Sequence, residues 1–324
     1  MVKRRLLLSL AGSVTVCLAL AEAGEATVPR AFVSINGSDA NPCSAVQPCR
    51  SFNAALLVVE TGGEIVVEDS GGYSTGFTIT QSVTIDAAGF NASVISLGSG
   101  DLCAITAGAS DRVVLRGISF HGANVGGNAI NVTKVGSLYV EHCSIAEFSF
   151  NGVTMPNGGN LWVTDTDVRK CSGFGLDVET TGATAANLVA QDSRFAECTR
   201  TGLGAAIFVR TGGTGIATGW VTNCTASLCD SAFEVVTVSP LNAELTLTNC
   251  RAFGNTVALD AETVSAGSAT MRIVNCVVTK NSTGIQVDSG GGGGIASVVG
   301  TSPGSNDIHG NTIDGSTSAT ETLH

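Results

Sequence analysis

Three segments of the chain share one pattern: WVTNC at 220–224, LTLTNC at 245–250 and MRIVNC at 271–276. Each alternates apolar and polar residues and then ends in Asn-Cys, which is typical of a half-buried β-strand followed by a bend. Related segments occur at 138–143, 161–166 and 188–193. The last residues of successive segments are 23 to 31 residues apart. A strand that returns at this period, with no helical pattern between its copies, predicts a chain that coils on itself.

A second apolar strand follows each of the first ones after about ten residues. Its copies are GLDV at 175–178, AIFV at 206–209, AFEV at 232–235, VALD at 257–260 and GIQV at 284–287. Dividing the repeat region 64–300 by the period predicts roughly nine coils. The alternation places one set of side chains in the core: Leu138, Val140, Leu161, Val163, Leu176, Val178, Ile207, Val209, Leu245, Leu247, Ile273, Ile285 and Val287.

The bends carry equivalent residues in successive coils, which lie about 4.8 Å apart in a parallel stack. Asn223, Asn249 and Asn275 share one position, so we expect a ladder in which their amides hydrogen-bond from coil to coil. Cysteines fill two further positions: Cys224, Cys250 and Cys276 in one, and Cys171, Cys198 and Cys229 in the other. Such laddered cysteines are expected to be small buried hydrophobic residues rather than bridges or catalysts.

Four regions follow from composition along the chain. Residues 1–26 combine Lys-Arg-Arg, an apolar run and small residues, which predicts a signal peptide and a secreted, periplasmic or extracellular protein. Residues 27–63 form an N-terminal cap, in which Cys43 and Cys49 flank a Pro-rich turn short enough for a disulfide. The β-helix spans 64–300, and 301–324 is a C-terminal tail or cap. No later stretch is apolar enough to predict a membrane span.

The opening of the chain carries a family resemblance. FVSINGSD at 32–39 is followed by Pro-Cys at 42–43 and 48–49 and by GGEI at 62–65, which is similar to the N-terminal signature of secreted bacterial β-helix proteins of unassigned activity. The repeat region resembles the pectate-lyase-like superfamily. This resemblance implies an all-β, single-stranded right-handed parallel β-helix. Within 51–60 the apolar residues Phe52, Ala55, Leu56 and Val59 fall on one helical face, which predicts an amphipathic helix that caps the N-terminal coil. In enzymes of that superfamily the polysaccharide often lies across the sheet of second strands.

An aromatic stripe is the clearest candidate binding surface. The outward positions of the first strands align Tyr139, Trp162 and Trp220, although the chain has only two Trp and two Tyr residues. Exposed aromatic rings at a regular spacing stack on sugar rings, so these three residues are the predicted substrate-binding set. The alternative is that they pad the sheet or lie beneath a loop.

The outward positions of the second strands carry Asp177, Glu234 and Asp260, which are the candidate catalytic carboxyls. Asp177 and Glu234 lie two coils apart, roughly 9–10 Å by backbone spacing, near the upper limit for an inverting pair. Acidic residues on a sheet surface also serve solubility alone. The sequence lacks the motifs that mark polygalacturonases or calcium-dependent pectate lyases, so it favours an incomplete catalytic set.

Asp165 and Asp192 share one bend position in adjacent coils. Calcium is the cation that such a pair would hold, but no ligand spacing requires it, and carboxylates that accept turn N–H groups are the favoured interpretation. No cofactor is expected. The charge of −11, from 16 Lys and Arg against 27 Asp and Glu, argues against nucleic acid as a partner.

The leading hypothesis is therefore a monomeric exported protein that interacts with extracellular or cell-surface polysaccharide, without a complete catalytic set. One alternative is a polysaccharide lyase or glycoside hydrolase acting on a uronate-containing or neutral glycan. A second alternative is a non-catalytic structural or adhesin-like surface module, because one β-helix scaffold serves all three purposes.

Overall fold

The computed structural model describes residues 27–200, 203–290, 293–301 and 305–321, so the predicted signal peptide lies outside the described residues. Within them the chain forms a parallel β-solenoid of about nine coils, which confirms the predicted all-β coil. Each complete coil holds three strands, and these stack into a twelve-stranded, a ten-stranded and a nine-stranded sheet. The ten-stranded sheet was not predicted, because its strands of three to five residues are too short to show an alternation.

The strands of the three sheets have the following bounds. The twelve-stranded sheet contains β1 (Val28–Val33), β2 (Val59–Val67), β5 (Val83–Asp86), β8 (Arg112–Arg116), β11 (Ser137–Glu141), β14 (Gly159–Thr164), β17 (Ala186–Gln191), β20 (Ala217–Thr222), β23 (Ala243–Thr248), β26 (Ser268–Val274), β29 (Ile295–Thr301) and β31 (Ala319–Glu321). The ten-stranded sheet contains β3 (Gly71–Ser74), β6 (Ala92–Ile95), β9 (Ile118–His121), β12 (Ser144–Phe148), β15 (Asp167–Cys171), β18 (Arg194–Ala196), β21 (Thr225–Ser227), β24 (Arg251–Phe253), β27 (Val277–Thr279) and β30 (Asp307–His309). The nine-stranded sheet contains β4 (Phe77–Ile79), β7 (Cys103–Thr106), β10 (Ile130–Lys134), β13 (Val153–Met155), β16 (Leu176–Thr180), β19 (Ala205–Thr211), β22 (Ser231–Thr237), β25 (Val257–Thr263) and β28 (Thr283–Ser289).

A left-handed residue joins the twelve-stranded sheet to the ten-stranded sheet in six successive coils. It is His142, Asp165, Asp192, Asn223, Asn249 and Asn275, with φ between 47° and 55°. Short polar side chains tolerate this region better than other non-glycine residues, which explains why Asn and Asp recur at the bend. The next residue turns inward, so Cys224, Cys250 and Cys276 are buried and free, as predicted for small hydrophobic residues.

The coil-to-coil amide ladder lies at a different bend from the predicted one. Asn223, Asn249 and Asn275 are exposed at their bend. The interlocked amides are instead Asn255, Asn281 and Asn311, where Asn255 Nδ2 donates to Asn281 Oδ1 and Asn281 Nδ2 donates to Asn311 Oδ1, each at 2.9 Å. This ladder faces the interior, where the amides satisfy each other and nearby backbone carbonyls, whereas side chains at the left-handed bend point to solvent.

The N-terminal cap closes the first coil. Helix α1 (Phe52–Val58) begins after Ser51, whose hydroxyl accepts the backbone N–H of Ala54, and it buries Phe52 and Ala55. Cys43 and Cys49 form the predicted disulfide. No helix among the described residues is long and apolar enough to cross a membrane.

The core runs along the solenoid axis, and the predicted inward side chains fill it with one exception. Val287 in β28 is 39% exposed, whereas Ala261, its partner in β25, is fully buried. Because β28 is the last strand of the nine-stranded sheet, no further strand of that sheet covers Val287.

Candidate functional site

Two parallel columns of outward side chains define the candidate site on the nine-stranded sheet. Strand pairing aligns the first column as Thr154, Asp177, Phe208, Glu234, Asp260 and Gln286. The second column is Glu179, Arg210, Val236, Glu262 and Asp288. We call the first the acid column. The three predicted catalytic carboxyls therefore lie in one line on one face, as the alternation requires.

Asp177 is buried although it points away from the core. It is 7% exposed, and its Oδ2 accepts hydrogen bonds from the Thr154 hydroxyl at 2.8 Å and from the Asn151 amide at 3.4 Å. Its Oδ1 has no hydrogen-bond partner among the described residues. Burial, and then the charge of Glu179, raise the pKa of Asp177 to about 7. Asp177 thus holds a proton in a large share of molecules at neutral pH.

Arg210 is the cation at the centre of this face. Its Nη2 donates to Glu179 Oε2 at 2.5 Å, and its guanidinium lies 5.6 Å from the ring centroid of Phe208. Its positive charge also lowers the pKa of Asp177 and Glu234, although burial has the larger effect on both. Arg210 therefore joins the two columns electrostatically, and it neutralises one of several carboxyls around it.

Glu234 and Asp260 are direct neighbours in the acid column. Burial, and then the charges of Asp260 and Glu262, raise the pKa of Glu234 to about 8. Burial, together with Glu262 and Asp288, raises the pKa of Asp260 to about 7. Asp260 is 8% exposed and accepts a 3.4 Å hydrogen bond from the Gln286 amide, whereas Glu234 is partly exposed. Burial and nearby negative charge thus raise the pKa of two carboxyls in adjacent coils toward neutral pH, and one of the two is accessible.

Aromatic side chains cover part of the same face. Phe174, just before β16, stacks on Phe208 with ring centroids 4.4 Å apart, and both pack with Ala205 and Val236 in an apolar cluster outside the core. Phe208 is the neighbour of Asp177 in the acid column, so this cluster places apolar surface beside a carboxyl whose pKa is raised by burial. Phe174 was not predicted as part of the site, because it lies in an irregular connection without a repeating pattern.

The structure brings the aromatic stripe of Tyr139, Trp162 and Trp220 into one column of the twelve-stranded sheet, with Val189 between the two tryptophans. The rings of Tyr139 and Trp162 stack at a centroid distance of 4.6 Å, and the guanidinium of Arg112 lies 4.3 Å from the Tyr139 ring. Both faces of the Tyr139 ring are therefore in contact with protein groups. Trp220 is 50% exposed and offers the most accessible surface of the three.

Asp165 and Asp192 pair with neighbours rather than with each other. Asp165 Oδ2 lies 2.8 Å from His142 Nδ1, and Asp192 Oδ1 accepts a 3.0 Å hydrogen bond from Asn223 Nδ2. Both side chains are exposed at the left-handed bend. Across the described part of the chain, no group of three His, Cys, Asp or Glu side chains is arranged to hold a metal ion.

Glu179 and Arg210 lie on the same outward face but were not among the predicted site residues. The sequence could have revealed this pair, because the strand register that aligns Asp177 with Phe208 also aligns Glu179 with Arg210. Thr154 could have been found in the same way, as the outward residue one coil before Asp177.

Comparison with known proteins supports the fold. The structure is similar to that of pectate lyase Pel9A, with a TM-score of 0.51 and 17% identity, covering 86% of this chain and 69% of that one. It is also similar to an alginate lyase from Paenibacillus sp. str. FPU-7, with a TM-score of 0.47 and 14% identity, covering 88% of this chain and 100% of that one. No match was found among curated proteins.

The family model described as "Right handed beta helix region" matches residues 65–237, more than half of the 324 residues. The match includes β16, β19 and β22, and thus most of the acid column. The chain belongs to the right-handed β-helix family.

Proposed function

We propose that this protein binds a neutral polysaccharide across the outer face of the nine-stranded sheet and hydrolyses it with carboxyls of the acid column. The observation that carries the proposal is the alignment of Asp177, Glu234 and Asp260 in one column, in surroundings that raise the pKa of all three toward neutral pH. A general acid needs a pKa close to the working pH, and the environment of these carboxyls supplies it.

Glu234 is assigned as the general acid, and Asp260 as the nucleophile in the fraction of molecules in which its carboxyl is ionised. The Glu234 side chain is the more exposed, and its pKa is raised to about 8, so it is the group that donates a proton to the glycosidic oxygen. Asp260 follows in the next coil, about 4.8 Å away by backbone spacing. Carboxyls roughly 5–5.5 Å apart serve retaining glycosidases, so hydrolysis is expected to proceed with retention of the anomeric configuration.

The charge of the face selects the class of glycan. The outward columns of β16, β19, β22, β25 and β28 contain six carboxyls, which are Asp177, Glu179, Glu234, Asp260, Glu262 and Asp288. Arg210 is the one cation among the outward residues of these described strands. Even with protons on the three acid-column carboxyls, the other three outnumber Arg210, so a polyuronate would meet net repulsion here. A neutral glycan can accept and donate hydrogen bonds without that cost.

Action outside the cell is part of the proposal. The disulfide between Cys43 and Cys49 is stable in an oxidising compartment, and the predicted signal peptide at 1–26 agrees with export.

The test is release of reducing ends from a panel of neutral polysaccharides (xylan, mannan and mixed-linkage β-glucan) and of two polyuronates, pectate and alginate. We expect release from a neutral polymer, a loss of at least about 100-fold in Glu234→Gln, and unchanged activity in Glu244→Gln on the opposite sheet. Release that is unchanged in Glu234→Gln, or that occurs from polyuronates alone, would overturn the assignment.

Binding without turnover at the aromatic stripe is the second candidate function. The half-exposed Trp220 favours it, because its ring is the most accessible of the three aromatic side chains. This candidate predicts a glycan-array signal that disappears in Trp162→Ala/Trp220→Ala, together with no reducing ends in any assay.

A further inference from the structure

A cavity of about 530 Å³ lies away from the acid column, where the chain passes from the nine-stranded to the twelve-stranded sheet. It crosses the turns that follow β7, β10, β13 and β16, so it extends about 14 Å along the axis at the spacing of parallel strands. Its polar lining consists of Thr106, Thr133, Lys134, Asn157, Asn160 and Asn187, with Thr184 at one end. The volume lies within the range of small-molecule binding sites.

Two glycines let the backbones of adjacent turns approach each other closely beside this cavity. Gly158 and Gly159 are buried at its floor with φ of 77° and 118°, a region that favours glycine. A Cβ on Gly158 would lie 2.5 Å from the carbonyl oxygen of Thr184 in the next coil. Adjacent turns therefore approach each other by backbone contact, and the concave surface between them remains open.

The asparagines form a partly used set of hydrogen-bonding groups. Asn160 Nδ2 donates to the Gly136 carbonyl at 2.7 Å, and Asn187 Nδ2 donates to Asn160 Oδ1 at 2.9 Å. Asn157 Nδ2 donates to the Thr133 carbonyl at 3.1 Å. A primary amide has two N–H groups, and among the described residues each of these three uses one. These contacts hold the amides in place, and the second N–H of each can donate to a ligand oxygen.

The lining favours an uncharged ligand rich in hydroxyl groups. Lys134 is the one charged residue among the described residues that line the cavity, and the remaining polar groups are amides, hydroxyls and backbone atoms. Asn160 and Trp162 lie two residues apart on the outward face of β14, roughly 7 Å along the strand. The cavity is thus next to the stacked rings of Tyr139 and Trp162, which supply an apolar border of the kind that sugar sites use.

We propose that this cavity is a binding subsite for a neutral oligosaccharide, held by the amides of Asn157, Asn160 and Asn187 and separate from the acid column. The subsite anchors a glycan without acting on it, since no carboxyl is among the residues that line it. Its existence does not require that the acid column is catalytic.

The test uses Glu234→Gln as the background, so that hydrolysis at the acid column is blocked and binding alone is measured. Calorimetric titration is made with three neutral oligosaccharides (cellohexaose, xylohexaose and mannohexaose) and with hexagalacturonate. Ala109→Trp fills the cavity from an exposed turn residue that lines it. Ala183→Trp is the matched control, an exposed alanine of the turn after β16 that does not itself line the cavity.

Saturable binding of at least one neutral hexasaccharide is expected, weakened at least tenfold by Ala109→Trp and changed less than twofold by Ala183→Trp. Asn160→Ala should weaken binding about fivefold through the loss of one hydrogen bond. No binding of any neutral hexasaccharide, equal binding by the Ala109→Trp and Ala183→Trp proteins, or binding of hexagalacturonate alone would overturn the subsite. Failure of the hydrolytic proposal leaves these results unchanged, because every protein compared carries Glu234→Gln.

Discussion

Replacing Asp260 by Asn should stabilise the protein at alkaline pH and leave it unchanged in acid. Asp260 is 8% exposed, and its pKa rises from an ordinary 3.8 to about 7 in the folded chain. Each pKa unit corresponds to about 1.4 kcal/mol, so the ionised carboxylate costs the folded state up to about 4 kcal/mol. Asn has the same shape and carries no charge, so Asp260→Asn removes this cost.

The pH dependence follows from proton binding. Between pH 3.8 and about 7 the folded chain keeps the proton of Asp260, whereas the unfolded chain has lost it. The folded state then binds more protons, and the free energy of unfolding falls as pH rises. The stabilising effect of Asp260→Asn should therefore be absent below pH 3.8, grow across this interval and reach its full size above pH 7.

Urea unfolding of the wild-type and Asp260→Asn proteins at several pH values measures the effect. Glu244→Gln removes an exposed carboxylate from the twelve-stranded sheet and should shift stability by less than about 0.5 kcal/mol at every pH. A difference between wild type and Asp260→Asn that stays constant with pH, or a variant that is less stable at pH 8, would refute the idea that burial holds the proton on Asp260.

Three further predictions concern the ion pair, the amide ladder and the thiols. Arg210→Met leaves Glu179 buried without its partner and should lower the free energy of unfolding at pH 8 by about 3 kcal/mol in a urea titration; a loss below about 1 kcal/mol would contradict the pairing. Asn281→Ala removes donors to Ala252 and Asn311 and should cost about 3 kcal/mol by the same assay, whereas exposed Asn249→Ala should cost far less. The eight free cysteines of the described residues are buried, and burial raises the pKa of Cys224 to about 11, so Ellman's reagent should label none of them until the chain is denatured.

Much of the solenoid follows from the sequence, because its repeat is directly visible. The apolar alternation before Asn249 and Asn275 defines strands, and the recurring Asn-Cys pair marks where each strand bends. Once the coils are aligned, pairs such as Tyr139 with Trp162 follow from the register alone, and the structure has the same pairing. Register is strongly specified here, since a slip of one residue would turn the whole apolar set outward.

Properties that depend on contacts between coils could not be predicted. The strand at 225–227 is too short for a period, so the ten-stranded sheet had no signal. The choice of Asn281 over Asn275 for the amide ladder depends on which bend residue points inward. Exposure of Val287 results from its place at the end of a sheet.

The candidate site, too, could be predicted from the sequence only in part. The sequence placed Asp177, Glu234 and Asp260 in one column, but as exposed carboxyls on a solvated sheet. Asp177 and Asp260 are instead buried and Glu234 is partly buried, which depends on neighbouring coils and which a local pattern does not reveal. Burial is what changes the chemistry of these groups, because it raises their pKa values into the range of acid catalysis.

The most direct test of this account is the titration of Glu234 itself. Carbon-13 NMR of protein labelled at the glutamate side-chain carboxyl, with Glu234→Gln used to assign the resonance, reports its protonation as pH changes. We predict a midpoint near pH 8 for Glu234, because burial and the charges of Asp260 and Glu262 disfavour ionisation. A midpoint near 4.5, the ordinary value for glutamate, would show that Glu234 holds no proton at neutral pH and would contradict its proposed role as the general acid.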